Sequence, residues 1–202
     1  MHGVHRLLLR VWRRIPRPLR RWTVRLVAPS FTVGATCVVE RDDGAILLVR
    51  LVYRNGWGLP GGLIKRNEEV ADCARREVRE EVGLPIELAG PPAVVVDARP
   101  QRVDVVFRAR PAAGADPAAV APRSPEIREV RWVDPGDLPA LQHETVSGLR
   151  ALASSLAGRG EVGEASADGL RLAAEAALAQ ARRRGGRRYW DTGGEDRPAA
   201  VS

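Results

Sequence analysis

Glu77, Glu80 and Glu81 stand three and four residues apart, in the segment WGLPGGLIKRNEEVADCARREVREEVGL that runs from Trp57 to Leu84. On a helix that spacing puts the three carboxylates on one face. Like charges so placed repel, and a solvated helix gains nothing from them. A divalent cation reverses the balance. Mg²⁺ is a hard ion that takes oxygen ligands and sits between a few carboxylates and a substrate's phosphates. The Gly61-Gly62 turn before the helix lets its backbone approach without side-chain obstruction, so carbonyl oxygens can add to the set. Arg76 lies four residues before Glu80 and can orient a carboxylate or reach back to Glu68. Val70, Ala74, Val78 and Val82 recur every four residues and give the helix a face to bury.

The residues Gly62, Glu68, Arg76-Glu77-Val78, Glu80-Glu81 and Gly83-Leu84 fall at fixed intervals within 23 residues. This pattern resembles the Nudix box of Nudix hydrolases at all nine of its defined positions, and Trp57 to Gly61 is also typical of that family. The resemblance is close over the box, looser over about 31–156, and absent from the tail. It implies an α/β/α sandwich around a mixed β-sheet, and a strand-loop-helix motif that binds Mg²⁺ or Mn²⁺. It further implies hydrolysis of a nucleoside diphosphate linked to another group. Carried over residue by residue, Glu77 and Glu81 are the main metal ligands, Glu80 assists and the Gly61 carbonyl is a further ligand. Arg76 orients the cluster and Glu68 braces it. In similar proteins an acid before the late strand approaches the metals, and here Glu126 is the candidate base; an ordinary solvated acid is the competing reading.

The box does not name a substrate. Arg50, Arg54, Arg99 and Arg102 are candidate phosphate contacts, and Trp57 and Tyr53 could stack on a base, although Trp57 could equally brace the turn. Pro100, sixteen residues beyond Leu84, has a spacing similar to that in some ADP-ribose pyrophosphatases. The leading substrates are therefore an ADP-ribose-like sugar nucleotide or an oxidised (d)NTP. The alternatives are trimming of RNA 5′ ends, or a nucleotide-sensing or membrane-associated protein that does not catalyse. The complete set of box glutamates argues against a fold that has lost catalysis.

The elements that must position these groups are read as follows. Residues 31–40 and 45–54 form two strands joined by an Asp-Gly turn, expected to pair as a hairpin. A helix runs from about Glu68 to Val82 and stops at Gly83. Strands follow over 93–98, 102–110 and 126–133, with a Pro- and Ala-rich loop at 111–125 and helices near 144–156 and 164–184. Trp132 is expected in the core, Cys73 against a neighbouring element, and His143 at the surface.

The chain has 202 residues and a net charge of +7. Residues 1–30 hold eight arginines and no acid, so the rest of the chain sums to about −1. Within that arm, Val4, Leu8, Val11, Trp12 and Ile15 fall near one helical face. It can pack on the domain, lie on an anionic membrane surface or meet RNA phosphates. Arginine supplies 31 of the 32 basic residues, which fits a GC-rich genome and weakens any inference from basicity alone. Two cysteines without a CxxC partner exclude a zinc site or disulfide framework and fit a reduced cytoplasm. No apolar run reaches the length of a membrane span. The expected organisation is a basic amphipathic arm over 1–30, a Nudix domain over 31–157 and a partly helical, partly disordered tail over 158–202. A nucleotide is the expected partner; the oligomeric state is left open, with a homodimer among the options.

Overall fold

The computed structural model describes residues 30–158 and 165–183, with the isolated positions Pro16 and Leu19. The expected arm helix over 4–15, the segment at 19–28 beyond Leu19, and the tail beyond 183 lie outside these residues.

In chain order the elements are β1 (Thr32–Val39), β2 (Ile46–Leu51), β3 (Gly61–Leu63), α1 (Val70–Val82), β4 (Ile86–Asp97), β5 (Arg102–Pro111), a 3₁₀ turn (Pro117–Ala119), β6 (Ile127–Val133), α2 (His143–Gly158) and α3 (Ala165–Arg183). Four strands form a mixed sheet in the order β3-β1-β5-β4, with β1 and β5 parallel and the other pairs antiparallel. β2 and β6 form a separate antiparallel pair.

Alternation along the strands builds two cores. In β2, Ile46 and Leu48 face one cluster while Leu47 and Val49 face the other. The first cluster lies under α2 and α3 and contains Val38, Val106, Leu149, Leu152 and Leu170. The second lies under α1 and contains Cys37, Phe107, Cys73, Ala74 and Val78. The arrangement is the expected α/β/α sandwich with a mixed sheet.

The expected hairpin of β1 with β2 does not form. The Asp-Gly turn is present, with the Arg41 N–H donating to the Ala45 carbonyl at 2.9 Å. After a single Glu40–Ile46 bridge the strands diverge. β1 is apolar on both faces and is paired on both edges, by β5 over eight residue pairs and by β3. That leaves β2 to pair with β6. A buried ion pair of Arg108 with Glu40 (3.3 Å) fastens the far end of β5 to the residue that follows β1.

β4 starts at Ile86, seven residues before the expected strand. Gly90-Pro91-Pro92 reads as a break, but it falls in a register shift between Ala89 and Ala93 on an edge strand, where missing N–H donors cost no ladder bond. Trp132 is half-buried at the margin of the second core, with its indole N–H donating to the Pro117 carbonyl at 2.8 Å. Cys73 is fully buried and His143 is exposed, as expected. Among the described residues no helix is long and apolar enough to cross a membrane.

Candidate active site

Two adjacent glycines bring β3 against β1 and α1. A Cβ on Gly61 would stand 2.3 Å from the Ala35 carbonyl oxygen, and φ there is +153°. A Cβ on Gly62 would stand 2.5 Å from the Glu77 carboxyl carbon. The missing side chains therefore make room for a neighbouring backbone in one case and for a carboxylate in the other.

Helix α1 buries Cys73, Ala74, Val78 and Val82. Its other side delivers Glu77, Glu80 and Glu81 to a cavity of about 490 Å³. Gly83, at φ +76°, caps the helix with its N–H donating to the Arg79 carbonyl. The Arg123 N–H donates to the exposed Glu81 carbonyl at 2.8 Å, which pins the 121–123 segment to the helix end. The Glu126 carbonyl accepts from the Val52 N–H at 2.9 Å. These two ties place Glu126 on the cavity wall, 45 residues along the chain from Glu81.

Arg76 ties the acids together from below. It donates to Glu68 at 2.6 and 2.9 Å, to Glu77 at 2.6 Å and to Glu80 at 3.0 Å. Glu68 also accepts from the Lys65 N–H at 2.8 Å. The Arg76 hydrogen bonds, then that N–H, pull the Glu68 carboxyl down to about 2. Glu81 has the opposite environment. Burial raises it to about 8; its bond from the Gly61 N–H (3.0 Å) opposes the shift, and the nearby Glu77 and Glu126 charges add to it. Glu81 thus sits within reach of two other carboxylates, one on its own helix and one from the far loop. The Tyr53 hydroxyl donates to Glu126 at 2.9 Å.

Gly61, Glu77, Glu80, Glu81, Glu126, Tyr53, Arg54 and Arg102 all line the cavity. Arg76 sits behind the lining carboxylates, and three candidate substrate contacts do not line the cavity. Trp57 is 6% exposed, lies in the first core and carries the Arg131 guanidinium 4.9 Å from its ring centre, so it braces the turn and offers no stacking face. Arg50 pairs across the strands with Glu129 at 3.9 Å. Arg99 is exposed in the β4–β5 turn, where its N–H bonds Asp97.

The cavity wall also contains Asp104, Gln142, Glu144 and Thr145, which sequence reasoning missed. Asp104 accepts from Arg102 at 2.8 Å and is buried. An acid inside the apolar run of β5 was the available signal. Gln142 and Thr145 carry none, because their role comes from packing.

The donor set fits a hard divalent cation: clustered carboxylates, two of them half-buried, beside a glycine turn whose carbonyls can add to the set. Among the described residues no three His, Cys, Asp or Glu side chains already converge as a metal-binding group. Glu77 and Glu80 turn onto Arg76 instead, and Glu81 turns onto the Gly61 N–H.

A family profile for the NUDIX domain matches residues 30–153. The chain is 31% identical over 110 residues to a MutT-like protein of Streptomyces ambofaciens, a match that spans 54% of this chain and 68% of that one. It is 36% identical over 55 residues to an RNA pyrophosphohydrolase of Halorhodospira halophila, spanning 27% and 30% of the two chains. Its fold is similar to that of a MutT NUDIX hydrolase from Burkholderia pseudomallei, with 29% identity, a TM-score of 0.50, and coverage of 61% of this chain and 99% of that one. A profile match that runs from two residues before β1 into α2, over more than half the chain, makes this protein a member of the Nudix hydrolases, enzymes that act on phosphorus-containing anhydrides.

Proposed function

We propose that the chain is a divalent-metal-dependent pyrophosphohydrolase that cleaves a diphosphate bond in a nucleoside diphosphate linked to another group. ADP-ribose-like sugar nucleotides and oxidised (d)NTPs are the leading substrates. The observation that carries this reading is the meeting of Glu77, Glu80, Glu81 and Glu126 with the Gly61 turn around one cavity. Glu77, Glu81, Glu80 and the Gly61 carbonyl would hold Mg²⁺ or Mn²⁺. When bound, the ion offsets phosphate charge and lowers the pKa of water.

The remaining work falls to the chain's own groups. Glu126 takes the proton from the attacking water, and its bond from Tyr53 leaves the second carboxylate oxygen for that task. Water oxygen bonds to phosphorus, the bridging P–O bond breaks and a phosphate group leaves. Arg76 keeps the helix carboxylates oriented. Arg54, which pairs with Glu144 at 3.0 Å on the cavity wall, and Arg102 are cations available to a substrate phosphate. A cytoplasmic setting suits such a substrate.

A second reading, removal of phosphate from triphosphorylated RNA 5′ ends, is favoured by the eight arginines of residues 1–30. The same arm could instead meet an anionic membrane surface. A panel of ADP-ribose, other sugar nucleotides, dinucleoside polyphosphates, 8-oxo-dGTP and 5′-triphosphate RNA, assayed with Mg²⁺ or Mn²⁺ and read by product mass, tests the proposal. Metal-dependent cleavage at a diphosphate bond is expected. Nucleotide binding without cleavage across the panel would replace the enzyme with a sensor.

A further inference from the structure

Helix α3 lies beyond the segment that matches the NUDIX profile. It buries Leu170, Ala173, Ala174 and Ala177 in the first core. One turn further on, the same face carries Gln180, a polar residue on a stripe otherwise made of small and apolar side chains.

The recorded bonds of the Gln180 amide all go to one distant segment. Its oxygen accepts from the Leu141 N–H at 3.0 Å. Its nitrogen donates to the carbonyls of Pro139 at 2.9 Å and Leu138 at 3.3 Å. That segment is in turn laced to the turn before β3. The Trp57 N–H donates to the Ala140 carbonyl at 2.8 Å, and the Gln142 N–H donates to the Trp57 carbonyl at 2.9 Å. The next residues, Gln142, Glu144 and Thr145, form the α2 side of the cavity. Gln142 fills the space a Cβ on Gly58 would take, with its side-chain oxygen 3.1 Å from that point.

We infer that Gln180 is a positioning residue for the substrate cavity: through the 138–141 segment, α3 sets where Gln142, Glu144 and Thr145 stand. The inference rests on the hydrolase reading above. A side chain that satisfies three backbone groups of an irregular segment fixes its path more tightly than apolar contact does, because hydrogen bonds are directional. The carboxylates of α1 are held by a separate set of bonds, so Gln180 acts on substrate fit and leaves the hydrolytic step alone.

The test uses the full chain and two variants. Gln180→Met keeps length and helix propensity and removes all three bonds. Leu170→Ala removes core contact from the same helix and leaves all three Gln180 bonds in place. KM and kcat are measured on the best substrate, ADP affinity by calorimetry, and amide hydrogen exchange at Leu141 and Gln142 by mass spectrometry or NMR. Gln180→Met is expected to raise KM and weaken ADP by about fivefold to tenfold, with kcat within about twofold of wild type. The Leu141 amide should lose protection. Leu170→Ala should lower stability at least as much and leave KM unchanged. Wild-type KM and Leu141 protection in Gln180→Met would overturn the inference, and so would an equal KM change in Leu170→Ala. If the wild-type chain binds ADP but cleaves nothing, the hydrolase reading fails, while ADP affinity and amide exchange still decide the role of Gln180. If it does not bind ADP, both fail.

Discussion

Replacing Gly62 with alanine separates the fold from the chemistry. The new Cβ would lie 2.5 Å from the Glu77 carboxyl carbon and one of its oxygens, and 2.8 Å from the other. Ordinary contact begins near 3.4 Å, so the carboxylate must retreat by about 0.9 Å. It is the end of a flexible side chain and can do so, at the expense of its 2.6 Å bond from Arg76. A lost charge-assisted hydrogen bond costs about 1.5–3 kcal/mol. The reduced freedom of the unfolded chain returns about 0.4–1 kcal/mol, since Gly62 has no left-handed φ. The net loss is about 1–2 kcal/mol, a fall in Tm of roughly 2–8 °C for a chain of this size. A displacement near 1 Å at a reacting group costs turnover on the order of a hundredfold. The assay is kcat at saturating metal beside thermal unfolding by circular dichroism. Gly61→Ala provides the contrast, because its Cβ meets the Ala35 carbonyl at 2.3 Å and backbone cannot yield cheaply. That variant should lose several kcal/mol, about 3 or more. A folded Gly62→Ala with wild-type turnover, or one as unstable as Gly61→Ala, would refute the reasoning.

Four further outcomes are expected. Arg76→Lys cannot fork to Glu68, Glu77 and Glu80 together; turnover should fall by about tenfold or more and stability by about 1–2 kcal/mol, read by kinetics and urea unfolding. Glu126→Gln should fold normally and lose roughly 10²–10⁴ in kcat, as expected for removal of a general base. Arg108→Ala removes the buried ion pair with Glu40 and should cost about 3–5 kcal/mol in chemical denaturation, with kcat preserved below the new Tm. Burial pushes the Cys37 thiol to about 12 and Cys73 to about 11, so near pH 8 the thiolate fractions are on the order of 10⁻⁴ and 10⁻³. Neither should react with iodoacetamide in the native protein, and both should react in guanidinium; rapid native labelling would contradict the packing.

What could be read in advance depended on locality. Helix α1, its buried face and its Gly83 stop follow from residues three and four apart, and the Arg76 contact with Glu80 follows from the same spacing. β2 is legible as a strand, but its partner is not. Pairing with β6 joins residues about 80 positions apart, and no local pattern distinguishes that from a hairpin. Gly90-Pro91-Pro92 reads as a break because its tolerance depends on β4 being an edge strand, a property of the assembled sheet. Residue type alone leaves Trp57 as either a stacking surface or a brace for the turn; the Leu141 bridge and Arg131 that decide it lie more than 70 residues away. Gln142, Thr145 and Gln180 are ordinary polar residues in sequence. Only the packing of α2 and α3 puts Gln142 and Thr145 on the cavity wall and Gln180 against the 138–141 segment.

The most direct test of the central claim, that the α1 carboxylates form a metal-dependent hydrolytic centre, compares wild type with Glu81→Gln. Mn²⁺ binding is followed by electron paramagnetic resonance, and turnover of the best substrate is measured on the same samples. Loss of a half-buried carboxylate ligand predicts Mn²⁺ affinity lower by about tenfold or more and turnover lower by orders of magnitude, about 10² at least, with the fold unchanged. Equal Mn²⁺ affinity and full turnover in Glu81→Gln would contradict the account.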